Sequence, residues 1–487
     1  MRIQRRHWLQ AAAALCVTGF DPKTRSWIAG AQASSQPNPM PCIPGLMGQL
    51  LLDSASVSPY ADDFGHIVHR APLAVLRPAC LFDVVLAVRF ARAARIPIAM
   101  RGQGHCQLGE AQVQAGIVVD SSTLSTIHAL SPSSATVDAG VTWSDLVLAG
   151  AEAGATPPVL TDYLGLSVGG TLSVGGVGGA MHAHGLQADN VLALWVVTGK
   201  GDLVECSEAQ QPELFRAVLT GLGQFGLIVR AKLRMVPAPS QALVFNLYYD
   251  DIEAYVTDQT KLVSEHRFSY LEGQVTKSAD GLSYRYMIEA VQYFEPGDEP
   301  DAAALVADLA YDASTSPAPS AIPYLDFAFR LEPVIQFLKQ ANLWGLPHPW
   351  LSLWVPASKA ASYVQSIVAN LSDFQTGQGP ILFYPVWKPA VRSPLYRLPE
   401  ETVSFAFNIL RTAIPGATDS VDNLLASNRA LYDQLVALGG TRFPIGAIPF
   451  SPSDWRAHFG ADWPRFERLK RKYDPQHILT PGQRVFA

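Results

Sequence analysis

A glycine-rich stretch at residues 162–185 constrains this chain more than any other feature of its sequence. It reads Asp-Tyr-Leu-Gly-Leu-Ser-Val-Gly-Gly-Thr-Leu-Ser-Val-Gly-Gly-Val-Gly-Gly-Ala-Met-His-Ala-His-Gly, with seven glycines between Asp162 and Gly179. Each glycine in an ordered element costs about 0.5–1 kcal/mol relative to alanine. A backbone without side chains lets N–H groups approach an anionic or planar ligand. The stretch therefore predicts a ligand-binding backbone surface.

Composition narrows the class of that ligand. The chain has 487 residues, 48% of them apolar, which is enough for two domains. A net charge of −6 without a long basic run gives no electrostatic footprint for nucleic acid, and no uninterrupted apolar segment is long enough to span a bilayer. The five cysteines are scattered without a CxxC pair, which argues against structural zinc and a disulfide framework. We expect a small-molecule partner.

The N-terminus predicts export. Arg5-Arg6 precedes an apolar run at residues 9–20, and Ala31-Gln-Ala33 offers a cleavage site, so residues 1–33 are typical of a twin-arginine signal peptide. The alternative is a disordered tail that happens to contain two arginines. The signal would place the protein in the periplasm or outside the cell.

The order of predicted elements favours a cofactor-binding domain at residues 43–237. A strand at 74–78, a helix at 81–95 and a strand at 96–100 lead into a glycine loop at 101–110. Further strands are predicted at 116–122, 135–140 and 221–230, a helix from a Thr142 cap to Ala153, a hairpin at 191–206 and a helix at 212–219.

Pro237-Ala-Pro239 marks the first domain boundary. Residues 238–445 lack glycine loops and are predicted to form a substrate (cap) domain. Residues 446–487 are predicted to return to the first domain.

Three short motifs have competing interpretations. Residues 165–169 match the G-x-S-x-G of a serine hydrolase with Ser167 as nucleophile, but the following glycines disfavour the helix that such a site needs. A Rossmann fingerprint is absent. His182 and His184 could be a metal pair or loop histidines with local hydrogen bonds. His105, in a glycine loop directly after a strand, is either a turn residue or a nucleophile toward a flavin methyl carbon.

Several blocks together resemble one family, the cytokinin dehydrogenases, which are vanillyl-alcohol-oxidase (PCMH)-type flavoproteins. The similarity runs from about residue 70 to the C-terminus. Its blocks are Arg101-Gly-Gln-Gly-His105, residues 161–173, Val197-Thr-Gly-Lys-Gly201, Leu222-Gly-Gln-Phe-Gly226, His348-Pro-Trp-Leu351 and Tyr473-Asp-Pro475 with Pro481-Gly-Gln483. The resemblance implies an α+β fold in which a split FAD-binding domain carries an inserted cap domain of antiparallel sheet plus helices.

The resemblance also implies site residues. His105 would bind FAD covalently through a single bond, because Tyr163 stands where doubly linked relatives have cysteine. Asp162 would be the catalytic base and would also contact the cofactor. The other implied FAD contacts are Met100, Gly102, Gln103, Gly104, Cys106, Glu110, Ser167, Ser173, Val177, Leu227, Ile228 and Gln483. Trp350 and Ile445 would line the substrate cavity.

These residue types suit hydride transfer. Flavin N5 takes a hydride from carbon while a carboxylate takes a proton, and Tyr163, Leu164 and Leu166 are expected to keep Asp162 poorly solvated. The family usually has other residues where this chain has Cys106, Glu110, Val174, Ser352 and Ile445-Gly446, and Glu110 is expected to add negative charge beside the flavin.

The substrate expected first is therefore a secondary amine of cytokinin type that is oxidised to an imine, with oxygen or a quinone-like molecule as electron acceptor. An alcohol or sugar oxidase on the same fold is the first alternative. A serine hydrolase that uses Ser167 is an alternative of another class.

Overall fold

The computed structural model describes residues 43, 45–278, 281, 283–376, 379–416 and 420–486. The described strands form four sheets with helices packed on them, so the protein has the expected α+β fold. The predicted signal peptide at residues 1–33 lies outside the described residues. No described helix is long and apolar enough to cross a membrane.

The first sheet holds the loop that carries His105. It consists of β1 (Gln49–Leu51), β2 (Ala74–Arg77), β3 (Ile98–Arg101) and β4 (Ile117–Asp120), in the order β1-β2-β4-β3, with β2, β4 and β3 parallel. The helix Leu81–Ala94 follows β2 and buries Val84, Val88 and Ala91 completely. The predicted strand, helix, strand and glycine loop are confirmed.

The second sheet is antiparallel. It contains β5 (Ile127–Ser131), β6 (Ser134–Asp138), β8 (Val191–Thr198), β9 (Leu203–Cys206) and β10 (Gly226–Arg234), in the order β5-β6-β10-β8-β9, while β7 (Ala155–Thr156) pairs separately with β11 (Val236–Pro237). Thr142 caps the helix Trp143–Glu152 by accepting a hydrogen bond from the Asp145 backbone N–H. The predicted hairpin is β8 and β9, and the helix expected at residues 212–219 is Pro212–Val218.

The third large sheet is built from residues after Pro239. Its eight antiparallel strands have the order β15-β12-β14-β13-β17-β18-β16-β19. They are β12 (Gln241–Tyr249), β13 (Tyr270–Lys277), β14 (Tyr284–Phe294), β15 (Ser320–Pro323), β16 (Leu351–Pro356), β17 (Ile381–Trp387), β18 (Val403–Ile409) and β19 (Thr441–Arg442).

Helices cover this sheet and connect its strands. The longer ones are Ile252–Glu265, Glu332–Gln340, Ala357–Val368 and Val421–Ala437. Shorter helices occur throughout the chain, at Ser54–Val57, Val168–Val174, Met181–His184, Ala302–Val306, Tyr324–Ala328 and Asp373–Thr376. Turns of 3-10 helix occur at Ser58–Ala61, Ser121–Thr123, Gln187–Asn190, Lys388–Ala390 and Gly460–Asp462.

The C-terminal segment comes back to the first sheet. It contains the helices Pro452–Phe459 and Trp463–Tyr473 and the turn Pro481–Gln483. The Ile98 N–H donates to the Ile478 carbonyl at 2.8 Å, and the Thr480 N–H donates to the Ile98 carbonyl at 2.9 Å. The last residues therefore extend the sheet next to β3. The exact domain bounds of 43–237, 238–445 and 446–487 stay a prediction.

Candidate active site

His105 lies among aromatic rings at the end of β3. Its imidazole stacks on the Phe64 ring at 3.9 Å between centroids and lies 5.1 Å from the Tyr163 ring. The indoles of Trp344 and Trp350 are each 5.8 Å away. Burial among these rings, and then the nearby His348, lower the pKa of His105 to about 3. The imidazole is therefore neutral at physiological pH, which is the form in which a ring nitrogen is nucleophilic.

The two glycine-rich loops meet at Gly102 and Ser167. A Cβ added to Gly102 would lie 1.9 Å from the Ser167 Oγ and 3.0 Å from its Cβ, so the absence of a side chain at Gly102 lets the two loops cross closely. Gln103 in the first loop and Gly170 in the second are exposed, although most of the positions from 164 to 181 are buried. The exposed backbone of Gly170 thus lies beside Ser167, at the point where Gly102 crosses it.

One expectation about the second loop is wrong. The helix Val168–Val174 forms directly after Ser167 despite Gly169 and Gly170. Its formation is explained by packing, because Val168 and Leu172 are fully buried and a Cβ on Gly169 would lie 2.7 Å from the Ala139 Cβ. Close helix packing outweighs the low helix propensity of glycine here.

The helix does not rescue the serine hydrolase. Ser167 is only 3% exposed, and it forms a single antiparallel bridge with Thr142 in place of the strand that would precede a nucleophile elbow. No hydrogen bond joins Ser167 to a histidine among the described residues. The G-x-S-x-G match is a feature of the glycine loop.

The last turn of the chain packs onto the His105 loop. A Cβ on Gly482 would lie 2.2 Å from the Gly109 carbonyl oxygen and 2.6 Å from that of Glu110, and the Trp455 indole N–H donates to the Gln483 carbonyl at 3.0 Å. Gln483 is therefore held next to residues 102–110, although nearly 380 positions separate them in the sequence.

The other predicted cofactor residues lie around these loops. Met100 is in β3, Gly104 has a positive φ of 70°, Ser173 donates to the Gly169 carbonyl, Val177 is buried, and Leu227 and Ile228 are buried in β10. Burial raises the pKa of Cys106 well above its usual value and also raises the pKa of Glu110. Burial opposes the ionisation of Glu110, and the expectation that Glu110 adds negative charge beside the flavin stays a prediction.

Asp162 has charged and polar neighbours. Its Oδ1 accepts a hydrogen bond from the Tyr270 hydroxyl at 2.8 Å and one from the Arg330 Nη2 at 2.7 Å. The sequence predicts a dry setting made by Tyr163, Leu164 and Leu166, and the structure adds two polar partners from the region of the large antiparallel sheet. The carboxylate is nevertheless only 23% exposed.

Sequence reasoning missed the residues that surround this carboxylate. Glu272 on β13 and Glu289 on β14 are directly opposite in register, with Glu289 Oε2 at 3.4 Å and Glu272 Oε2 at 4.0 Å from the Arg330 Nη2. The signal was a single carboxylate between apolar or small neighbours in each of two strands, Tyr-Leu-Glu-Gly and Met-Ile-Glu-Ala. A buried acid in a strand centre requires a partner and marks a candidate site.

Trp350 and Ile445, the predicted substrate residues, are neighbours. The Ala447 N–H donates to the Trp350 carbonyl at 2.7 Å, and a Cβ on Gly446 would lie 2.9 Å from the Ser352 backbone nitrogen. The Trp350 indole N–H is buried without a hydrogen-bond partner among the described residues. Such an orphan donor is expected where a ligand supplies the missing acceptor.

A cavity of about 440 Å³ adjoins Asp162. Its lining includes Asp162, Tyr270, Arg330, Phe327 and Arg267, and it does not include His105 or Trp350. Asp162 therefore lines this cavity, while the next residue, Tyr163, belongs to the aromatic cluster around His105.

The histidine pair of the second loop makes local contacts. The His182 ring nitrogens lie 2.9 Å from the Gly179 carbonyl oxygen and 3.0 Å from that of Phe268. No group of three or more metal-ligating side chains occurs among the described residues. Cys80, Cys106 and Cys206 are free thiols. His182 therefore makes one local hydrogen bond, to Gly179, and one to a distant segment, at Phe268.

These features fit a planar anionic cofactor such as FAD. The crossing loops offer bare backbone, the neutral His105 offers a nucleophile, and Trp350 offers an unpaired donor. His105, Met100 and Gly102 lie in or next to β3, while Ser167 and Gln483 reach the same loop from two later parts of the chain.

Comparisons with known proteins agree with this fit. Residues 72–207 match a family model described as an FAD binding domain, and residues 277–486 match one described as cytokinin dehydrogenase 1, FAD and cytokinin binding. A Rhodococcoides fascians protein, described as the uncharacterized oxidoreductase ORF5 in the fasciation locus, is 40% identical over 89% of this chain and 98% of its own length. Cytokinin dehydrogenase 5 of Oryza sativa subsp. japonica is 35% identical over 90% of this chain and 91% of its own length. Cytokinin dehydrogenase 1 of Arabidopsis thaliana is 32% identical over 88% of this chain and 80% of its own length.

Proposed function

Because this chain belongs to the cytokinin dehydrogenase family of FAD-dependent oxidoreductases, we propose that it oxidises a secondary amine of cytokinin type. The observation that carries the proposal is that Asp162 directly precedes Tyr163, whose ring lies 5.1 Å from that of His105. This proximity supports a proposed proton acceptor and a proposed flavin attachment point within one site.

We propose that His105 holds the flavin by a single covalent bond. The depressed pKa of about 3 keeps its ring nitrogen unprotonated for attack on a flavin methyl carbon. Phe64 stacks on the ring at 3.9 Å, and Trp344, which also contacts Phe64, lies 5.8 Å from it. The other FAD contacts are proposed to be Met100, Gly102, Gln103, Gly104, Cys106, Glu110, Asp162, Ser167, Ser173, Val177, Leu227, Ile228 and Gln483.

Asp162 is the proposed base. Bound FAD supplies an acceptor for the hydride that leaves the carbon next to the amine nitrogen. The amine N–H proton passes to Asp162 Oδ, the electron pair of the N–H bond forms the C=N bond, and the imine leaves for hydrolysis by water. Tyr270 and Arg330 fix the carboxylate, and Trp350 and Ile445 are proposed to wall the substrate.

The decisive experiment is anaerobic bleaching of the bound flavin. The purified yellow protein is mixed with matched panels of secondary amines, alcohols and sugars, and the loss of visible flavin absorbance is followed. We expect bleaching by the amines. Bleaching by alcohols or sugars alone would move the substrate class and leave the flavin assignment intact.

The Asp162→Asn variant tests the base. We expect bleaching to slow by about 10²–10⁴-fold while the flavin stays bound. Asp189→Asn is the matched control, because the Asp189 carboxylate accepts hydrogen bonds from the Leu186 N–H and the Ser393 hydroxyl, outside the site. An Asp162→Asn rate equal to that of the unchanged protein would remove the base assignment.

The electron acceptor and the location complete the proposal. We propose oxygen or a quinone-like molecule as acceptor, which reoxidation of the bleached protein by each would distinguish. We propose export through the twin-arginine signal at residues 1–33, and replacement of Arg5 and Arg6 by lysine should keep the protein inside the cell.

A further inference from the structure

We infer that Arg330 is a positioning residue that makes Asp162, and not Glu272 or Glu289, the carboxylate that carries the negative charge when substrate arrives. The inference rests on the proposed role of Asp162 as base. It concerns which of three neighbouring acids is ionised, and it assigns that choice to one guanidinium.

The distances favour Asp162. Arg330 Nη2 lies 2.7 Å from Asp162 Oδ1, 3.4 Å from Glu289 Oε2 and 4.0 Å from Glu272 Oε2. Only the first is a full charge-assisted hydrogen bond. The Tyr270 hydroxyl donates to the same Asp162 oxygen at 2.8 Å, so this oxygen has two donors.

One guanidinium can balance only one buried negative charge. Burial raises the pKa of Glu272 well above its usual value, with Asp162 adding to the rise, and burial also raises the pKa of Glu289. Like charges in one site cannot all ionise, and the acids without a close cation keep their protons. The cluster is therefore near neutrality with one ion pair, Asp162 with Arg330.

The remaining titratable groups around the cluster do not compete for this role. Burial raises the pKa of Tyr270, Tyr293 and Tyr384, which stay neutral phenols. His184, His266 and Arg267 line the cavity that adjoins the cluster. Arg267 pairs with Glu265 and Asp308, and burial lowers the pKa of His184.

The large antiparallel sheet and its helices hold Arg330 in place. Its guanidinium carbon lies 4.4 Å from the Phe327 ring centroid and 5.1 Å from that of Tyr270, both cation–π distances. Asp162 belongs to the loop that precedes the glycine-rich helix. An arginine that packs against the large antiparallel sheet thus positions a carboxylate that belongs to the glycine-rich loop.

The pH dependence of flavin bleaching tests this inference. In Arg330→Gln the negative charge is shared among three acids, so Asp162 binds its proton more tightly. We expect the acid limb of the rate profile to move up by about one pH unit or more, with the rate recovering at high pH. Arg330→Lys keeps the charge and should move the limb less.

Two controls isolate the electrostatic role. Arg285→Gln removes an arginine that pairs with Asp250 and Asp312 and should leave the profile unchanged. The pH dependence of the dissociation constant of a non-oxidisable amine analogue reports the same protonation without turnover, and it should shift in parallel with the rate profile.

A second variant is expected to have no effect on the profile. Glu289→Gln replaces a protonated acid by a neutral amide of the same size, so the acid limb should stay where it is. The inference is overturned if the Arg330→Gln profile superimposes on that of the unchanged protein, or if Glu289→Gln moves the limb, because Glu289 would then carry part of the negative charge. If Asp162→Asn bleaches at the normal rate, the proposed base itself is wrong; if Asp162→Asn is slow and the Arg330→Gln limb does not move, only the role of Arg330 fails.

Discussion

The surroundings of His105 and of Asp162 differ in kind, although Tyr163, whose ring lies 5.1 Å from that of His105, directly follows Asp162 in the chain. Around His105 the described neighbours are rings, and the nearest of them, Phe64, stacks at 3.9 Å. Around Asp162 they are two further carboxylates, a phenol and a guanidinium. Both side chains are shielded from solvent, but only Asp162 has an oppositely charged neighbour, Arg330, that offsets the cost of burying a charge.

This difference matches two chemical requirements. A histidine that forms a bond to carbon needs a free lone pair, and burial without an acidic partner keeps the imidazole neutral. A base that accepts a proton needs a negative charge in a poorly solvated place, which only a nearby cation can hold there. We therefore expect substitutions at the two sites to fail in different ways.

The largest expected effect is at His105. His105→Ala removes the only proposed attachment atom, so acid-stable yellow colour should be lost completely, whereas Asp162→Asn should keep it. Acid precipitation followed by the absorbance of pellet and supernatant measures this. His69→Ala, at a histidine with a side chain that is 62% exposed, is the matched control. Colour that stays in the His105→Ala pellet would show that the flavin is attached elsewhere.

The second largest effect is expected at Phe64, in the cluster of aromatic rings around His105. Phe64→Ala removes the ring that stacks on both His105 and His348, at 3.9 Å and 4.0 Å. We expect a loss of about 3–5 kcal/mol in the free energy of unfolding, because Phe64 is buried. Water entering the gap should also raise the pKa of His105 and slow flavin attachment at acidic pH. Denaturant unfolding and attachment rates measure the two effects.

Phe337→Ala is the control for this substitution. Phe337 is 62% exposed, so its removal should change stability by less than about 0.5 kcal/mol. Equal losses in the two variants would show that the Phe64 ring is not part of a packed wall.

Much of the fold follows from local sequence. The apolar spacing of residues 81–95 predicted the helix Leu81–Ala94, and the turn at residues 199–202 predicted the pairing of β8 with β9. The helix after Ser167 could not be predicted, because it depends on the approach of Gly169 to Ala139, a contact made by a distant strand end. Local propensity fails where tertiary packing supplies the stabilisation.

The site divides in the same way. The loop at residues 101–110 and Asp162 stand out as motifs in the sequence. Arg330 does not, because it lies in Phe-Ala-Phe-Arg-Leu, which has no spacing relation to Asp162. Their contact joins residues 168 positions apart and depends on the docking of the large sheet against the glycine loop.

A carboxyl on the His105 side provides a further test of the comparison. Burial, and then the neighbouring Glu110, raise the pKa of Asp63 from 3.8 to about 8. The folded chain then holds a proton that the unfolded chain releases, so this group's contribution to stability falls as pH rises from about 4 to about 8. Asp63→Asn should flatten the pH dependence of unfolding in that window by up to about 1.4 kcal/mol per pH unit.

Equilibrium unfolding at several pH values measures this slope. The variant also loses one acceptor for the Gly65 or Gly109 N–H, so its stability at acidic pH should be lower than that of the unchanged protein. An unaltered slope would show that Asp63 is ionised in the folded chain, and that the His105 side is less neutral than its rings indicate.

The smallest expected effect is at Glu272, on the charged side. Burial, and then Asp162, raise its pKa well above the usual value, so Glu272→Gln replaces one neutral group by another of the same size. Stability near neutral pH should change by less than about 1 kcal/mol. A raised pKa in the folded chain means that the acid stabilises the fold less as pH rises, so the variant should gain relative stability in alkaline solution. Thermal unfolding at neutral and alkaline pH measures both. A large loss near neutral pH would mean that Glu272 is ionised and shares Arg330 with Asp162, so that the charge beside the flavin would not belong to a single carboxylate.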